Sequence, residues 1–242
     1  MKTDDFNFDL PEGQIAQYPT GMRGESRLLV LDRASGALAH AMVADLASFV
    51  DPGTLMVFND SRVRKARIFG SALDTGSEVE FLLLRRRGDG LWEAACTKAK
   101  RQRQGRRYAF PEGVEGEIEG GEGETRTIRF FPPIDEDWLD RVGHIPLPPY
   151  IKREDAPLDA ERYQTIYSKN VGSSASPTAG LHFTAEILES LAGRGIGIAW
   201  VTLHVGLGTF LPVRTDRLED HVMHREDYSV PAETAQAVAR AK

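Results

Sequence analysis

The chain has 242 residues, of which 41% are hydrophobic, 8% aromatic and 27% charged, and its formal net charge is −6. This composition excludes disorder and fits a globular protein built as one large domain or two smaller ones. The opening MKTDDFNFDL has no basic and apolar export signal, and no run of about 18 apolar residues could span a membrane, so a cytoplasmic protein is expected. A single cysteine, Cys96, excludes an internal disulfide and the thiolate clusters of iron–sulfur or structural zinc centres.

In chain order, LLVLD and ALAH flank the turn RASG and predict a hairpin. MVADLASFV has helical spacing, with Met42, Leu46, Phe49 and Val50 on one side, and DPG at 51–53 stops it before the strand TLMVFN. From Val63 to Phe131 the texture changes to short strand-like runs, VRKARIFG, EVEFLLLR, LWEAAC, RRYAF, VEGEIEG and TRTIRFF, separated by Gly-rich or charged turns. That spacing predicts a small barrel or sandwich. A Pro-rich passage at 132–149 reads as irregular and as the exit from an inserted unit. FTAEILESLAGRGI predicts a helix capped by Thr184, burying Ile187, Leu188 and Leu191 and ended by Gly193 and Gly195. GIAWVTLHV predicts a buried strand finishing at His204 and opening into GLGTFLPVR.

Charge is unevenly placed. Between Arg62 and Arg107 there are 13 Lys and Arg against 5 Asp and Glu, a local +8, whereas the remainder has 17 against 31, or −14. RRR at 85–87 and KAKRQRQGRR at 98–107 carry much of the excess, which is equally a solvated basic loop or a surface for RNA phosphates.

Two loops attract attention as a site. SASPTAGLHFT, 174–184, places Ser174, Ser176 and Thr178 hydroxyls, Pro177, Gly180 and His182 ahead of a helix, where free amides and the positive dipole end suit a carboxylate, a phosphate or ribose hydroxyls. His204 stands at a strand end beside Gly206 and Gly208, where ligands of open α/β sheets gather. Either His alone reads as a packed ring; together they point to a site. There is no Walker-type phosphate loop and no G-x-S-x-G elbow, and GLGTFL carries Leu211 where a dinucleotide fingerprint needs a third glycine. HVMHRE, with His221, His224 and Glu226, admits a metal reading if helical, but a structural or substrate-contact role is the preferred one and no metal is expected.

The segments VFNDSRVRKAR, GHIPLPPYIKR, ERYQTIY, PTAGLHFT and VTLHVGLGTFLPVR, followed by HVMHRE, resemble the S-adenosylmethionine:tRNA ribosyltransferase-isomerase family of queuosine biosynthesis, from FDLPEGQIAQYP to the last residue. The resemblance implies an α/β fold: a larger α/β domain of residues 1–62 and 151–242, interrupted in sequence by a small β-barrel domain at 63–150. It implies an enzyme that transfers and isomerises the ribosyl moiety of S-adenosylmethionine onto 7-aminomethyl-7-deazaguanine at the tRNA wobble position. The products would be epoxyqueuosine in tRNA, adenine and methionine. S-adenosylmethionine serves as cosubstrate with no further cofactor, the partner is tRNA carrying the deazaguanine, and a monomer is expected. Family members have an apolar residue and Ala where Ser174 and Ser176 stand, and they continue beyond the equivalent of Lys242. The closing run PAETAQAVARAK, without Gly, Asn or Pro, reads as cut.

For that chemistry, His182 and His204 are the candidate acid and base, with Asp60 and Glu226 as carboxylates that orient them or pair the sulfonium. Arg62, Arg214 and Tyr163 are candidates for substrate anions and base stacking, and Thr178, Gly180, Gly206, Gly208 and Thr209 for the binding loops. Which His is acid and which base stays open. A non-catalytic tRNA-binding module and an S-adenosylmethionine-dependent RNA methyltransferase are the rival readings.

Overall fold

The computed structural model describes residues 1–242, all but the side chain of Leu207. β1 (Arg27–Leu31) and β2 (Leu38–Met42) form the predicted antiparallel hairpin, with Leu31 opposite Leu38. Its turn is held by Asp32, whose Oδ1 accepts the amides of Ala34 and Ser35. The segment read as a helix at 42–50 winds instead as a 3-10 turn, Val43–Phe49, which buries Val43 and Ala47 and leaves Phe49 exposed. Of the expected face, Leu46 and Val50 pack against the core beside Val43 and Ala47, whereas Met42 and Phe49 are exposed.

After β3 (Leu55–Asn59) and the short β4 (Ser61–Val63), six antiparallel strands close into a barrel. They are β5 (Arg67–Ala72), β6 (Glu78–Gly88), β7 (Leu91–Cys96), β8 (Arg107–Ala109), β9 (Glu115–Gly120) and β10 (Thr125–Phe131), in the order β10-β7-β6-β5-β8-β9. Period-two alternation supplies the interior: Ile68, Phe81, Leu83, Trp92, Tyr108, Ile118, Ile128 and Phe130 point inward and are essentially inaccessible. The Pro-rich passage departs from expectation. Residues Glu136–Val142 form helix α1, capped by Asp135 Oδ1 accepting from Trp138 N at 2.8 Å, and Trp138 and Leu139 extend the barrel core. An acidic cap followed by two large apolar side chains outweighs the flanking prolines.

The rest of the chain returns to the strands that precede the barrel. α2 (Pro157–Arg162) leads to β11 (Asn170–Ser173), which lies parallel to β4 with Asn170 opposite Ser61. α3 (Ala185–Gly193) begins where Thr184 Oγ1 accepts from Ile187 N at 3.3 Å. β12 (Gly197–His204) runs parallel to β3, pairing Gly197 with Leu55 and Val201 with Asn59, and its outer edge takes β13 (Asp227–Ser229) antiparallel. α3 packs Ile187 and Leu191 on this sheet through Phe58 and Phe183, whose rings meet edge to face at 4.9 Å. α4 (Ala232–Ala241) follows, tied to β12 by Thr234 Oγ1 donating to Trp200 O at 2.7 Å.

Among the described residues, no helix is long and apolar enough to cross a membrane. Gly70 faces the barrel interior, and a Cβ there would lie 2.7 Å from the Phe110 ring. Gly70→Ala is therefore expected to lower unfolding free energy by about 1–3 kcal/mol through overpacking, measured by denaturant titration. The smaller Phe110→Leu in the same chain should recover part of the loss.

Candidate active site

The floor of the site is a cross-link between chain regions on either side of the barrel. Ser61 and Ser173 are buried, and the Ser173 hydroxyl lies 2.9 Å from that of Ser61. The same Ser173 Oγ accepts from the amide of Val205 at 2.9 Å, and Ser174 N donates to Val205 O at 2.8 Å. The strand end that carries His204 is thereby stitched onto β11.

Above this floor a cleft of about 920 Å³ opens between the sheet and the barrel rim. One wall is Gly172, Ser174, His204, Val205 and Gly206, with the extended segment 220–227 closing over it. The other is Arg85, Arg86, Arg87 and Glu93 from β6 and β7, with Glu124 and Thr125 from the turn before β10. Two exposed ion pairs bridge the walls, Arg85 Nη2 to Asp227 Oδ2 and Arg214 Nη2 to Glu124 Oε1, both at 3.2 Å. Exposed pairs contribute at most about 1 kcal/mol each, so they shape the cleft without locking it.

His204 is the titratable group at the centre. Its ring packs against Gly172, where a Cβ would lie 2.7 Å from the ring, so only glycine allows this placement. Burial first, and then the Arg64 guanidinium, hold its pKa below the ordinary imidazole value, against the opposing pull of Asp227 and Asp60. Its Nδ1 is buried without a hydrogen-bond partner. Arg64 itself is fixed by Glu136, to which its Nε donates at 2.9 and 3.0 Å, and by stacking at 5.2 Å over Trp92. Burial and Arg64 both favour the neutral form of the ring, which can accept a proton.

The other expected residues divide. Glu226 lines the cleft, and its Oε1 accepts from Gly206 N at 2.8 Å, pinning the glycine loop. Gly208 lies under His224, where a Cβ would meet the ring at 2.8 Å, and Thr209 is exposed on the same turn. Arg214 lines the cleft.

His182 does not. It ends the 3-10 turn Thr178–His182, its Nδ1 is 2.9 Å from Ser26 Oγ, and it is absent from the cleft lining, so the two rings share no pocket. Of the hydroxyl-rich loop only Ser174 reaches the cleft; Thr178 is exposed elsewhere, and Gly180 is buried against Tyr167 and Thr165. At the mouth of α3, where an anion site was expected, the 3-10 turn precedes the helix and Thr184 takes the Ile187 amide, and this mouth does not line the cleft.

Asp60 is a cross-strand clamp, its Oδ1 accepting from Thr202 Oγ1 at 2.6 Å and from Asn170 Nδ2 at 3.1 Å. It does not line the cleft, and it acts on the site by bracing β11 against β12 and by its charge on His204. Tyr163 is buried with Val63 and Ile145, and burial pushes its hydroxyl up to about 12, so its ring offers no stacking face. Arg62 is exposed on β4 and does not line the cleft; Arg64, two residues on, does. HVMHRE is irregular rather than helical, so the i, i+3 spacing brings no ligands together, and no group of three or more potential metal ligands occurs among the described residues.

The fold and the cleft together define an α/β protein with an inserted barrel, in which a histidine at a strand end faces an arginine-rich barrel rim. Residues 3–242 match the family described as Queuosine biosynthesis protein. The chain is 50% identical to the S-adenosylmethionine:tRNA ribosyltransferase-isomerase of Treponema denticola, over all of this chain and 72% of that one. It is 47% identical to the enzyme of the same name from Acetivibrio thermocellus, over all of this chain and 71% of the relative. A solved structure, S-adenosylmethionine tRNA ribosyltransferase from Thermotoga maritima, aligns at 26% identity over 98% of this chain and 65% of its own, with a TM-score of 0.41. The chain belongs to the S-adenosylmethionine:tRNA ribosyltransferase-isomerase family of queuosine biosynthesis.

Two measurements check this geometry. Ser173→Ala leaves the Ser61 hydroxyl and the Val205 amide without their partner and should cost about 1–3 kcal/mol in denaturant unfolding. The His204 imidazole should titrate by NMR below the ordinary value of about 6.5 and move upward in Arg64→Gln. A folded pKa depressed in this way adds stability above the unfolded value that is lost as pH falls through the folded one. A His204 midpoint at or above the ordinary value contradicts the assignment.

Proposed function

We propose that this chain transfers and isomerises the ribosyl moiety of S-adenosylmethionine onto 7-aminomethyl-7-deazaguanine at the tRNA wobble position, giving epoxyqueuosine in tRNA with release of adenine and methionine. The observation that carries the reading is the neutral His204 facing Arg64, Arg85 and Arg214 in one cleft, in a chain of this family.

The cosubstrate presents an α-carboxylate, an ammonium, a sulfonium and an adenine. Arg214 and Arg85 suit the carboxylate, because a planar guanidinium can form paired charge-assisted bonds. Asp227 and Glu226 are the nearby carboxylates that favour the cationic sulfur and ammonium. The reaction removes a proton beside the sulfonium or from the aminomethyl nitrogen, and it delivers one to departing adenine. His204, neutral at rest, accepts the first, and the imidazolium so formed stands in register with Asp227 on β13, which stabilises the charge until the proton is passed on. Gly206, pinned through Glu226, brings backbone to the cleft wall, while glycine at 208 makes room for the His224 ring.

The domain division belongs to the same proposal. Residues 1–62 and 151–242 form one α/β unit, supported by the pairing of β3 with β12 and of β4 with β11, and 63–150 is inserted between them as the barrel that presents tRNA. The chain works as a cytoplasmic monomer, with S-adenosylmethionine consumed as cosubstrate.

Incubation with S-adenosylmethionine and tRNA bearing the deazaguanine should release adenine and methionine together. His204→Ala should lower kcat by about 10²–10⁴-fold, whereas His182→Ala, away from the cleft, should stay near wild type. S-adenosylhomocysteine as product would replace the reading with methyl transfer, and tRNA binding without adenine release would replace it with a binding module.

A further inference from the structure

The basic segment 62–107 is not one surface. At the cleft rim Arg85, Arg86 and Arg87 are paired with Asp227, Asp89 and Glu93. Arg106 and Arg107 are likewise paired, with Asp74 and Glu115. Lys98, Lys100, Arg101 and Arg103 differ: all four are exposed, and among the described residues none has a carboxylate within ion-pair distance. Four like charges within six residues repel one another, and a floppy loop would spread them apart.

This loop is instead braced from inside the barrel. Arg126 occupies an inward position of β10, is 9% exposed, and spends its guanidinium on backbone carbonyls. It donates to Gln102 O at 2.7 Å, to Ala99 O, to Gly123 O at 3.2 Å and to Thr125 O at 2.5 Å. Gln102, also buried, donates to Thr97 O at 3.0 Å and accepts at Oε1 from Tyr108 Oη at 2.6 Å and from Arg106 Nη1 at 2.8 Å. Lys98 sits in the left-handed region at φ 52°, a conformation that lysine adopts only where its surroundings impose it. The fold thus holds four unpaired cations on a rigid backbone beside an open depression of about 800 Å³ lined by Lys100, Arg101 and Arg103.

We propose that Lys98, Lys100, Arg101 and Arg103 are a preorganised docking platform for the sugar-phosphate backbone of the RNA substrate, separate from the cleft that holds the reacting nucleotide. The inference rests on the reading of tRNA as substrate. Continuity supports it: the turn that Arg126 braces at Gly123 and Thr125 also supplies Glu124 and Thr125 to the cleft wall. Five residues separate cleft-lining Glu93 from Lys98, on the order of 15 Å at strand rise. A backbone leaving the cleft reaches the platform while its modified base stays behind. The row of single charges on an open surface suits a repeating phosphate chain and is too shallow to enclose a metabolite.

The test uses the full chain with Lys98, Lys100, Arg101 and Arg103 all changed to Gln, surface substitutions whose folding is checked by thermal melting. Binding of tRNA carrying the deazaguanine is measured by anisotropy across a potassium chloride titration. The platform predicts an affinity loss of about tenfold or more and a fall of about 3 in the slope of log K against log salt, since each lost phosphate contact removes roughly 0.7–0.9. In turnover, KM for tRNA should rise while KM for S-adenosylmethionine and kcat at saturating tRNA hold. An unchanged salt slope and KM would mean a solvated loop and overturn the platform. Failure of the parent reading looks different, because wild-type chain would then release no adenine although its tRNA binding still lost salt dependence in the quadruple variant.

Discussion

Everything at the site hangs on one buried hydrogen bond. Ser61 leaves the sheet just before the barrel and Ser173 re-enters just after it, 112 positions later in the chain, and their hydroxyls meet at 2.9 Å in full burial. Two apolar residues could fill the same space, yet neither could also take the Val205 amide. That amide belongs to the residue after His204, so this polar pair fixes the orientation of the strand end that carries the reacting ring. Closing so long a loop is affordable because its cost grows only logarithmically with length, and the barrel inside it is closed by pairing among its own strands.

How legible this was from the residues differs by element. Barrel strands were legible as short strand-like runs between Gly-rich or charged turns, which left barrel or sandwich open, and β12 ended at His204 as its β-branched run implied. Thr184 capped α3 because a hydroxyl before an apolar period has one economical use. Failures came where the chain leaves standard winding. Val43–Phe49 took 3-10 pitch, and α1 formed amid prolines because Trp138 and Leu139 had a barrel to cover, a gain that no local propensity registers.

The site was legible in its parts and not in its assembly. His204, Gly206, Glu226 and Arg214 were found by type and position, and they line one cleft. His182 looked equivalent because it too sits among glycine and hydroxyl residues, but nothing in a sequence tells which strand end a helix-entrance loop faces. Arg62 and Arg64 share the same parity, but β4 ends at Val63, so Arg62 stays on the exposed strand face while Arg64, past the strand end, reaches the cleft, and where a three-residue strand ends is not legible from its residues. Asp227 was missed, and Arg85 was read only as part of a basic run, since their pairing is a contact between β13 and the barrel that only the fold creates. Electrostatics then separates two functions in one basic segment: paired arginines at the rim shape the cleft, while unpaired cations at 98–103 stand ready for a polyanion.

Hydrogen–deuterium exchange with and without S-adenosylmethionine tests the central claim most directly, because it reports where the ligand sits whatever the turnover. Protection confined to 171–174, 204–206 and 220–227, with 178–184 unchanged, is the predicted pattern. Protection of 178–184 with the His204 strand end unaffected would contradict the account and return the site to the loop ahead of α3.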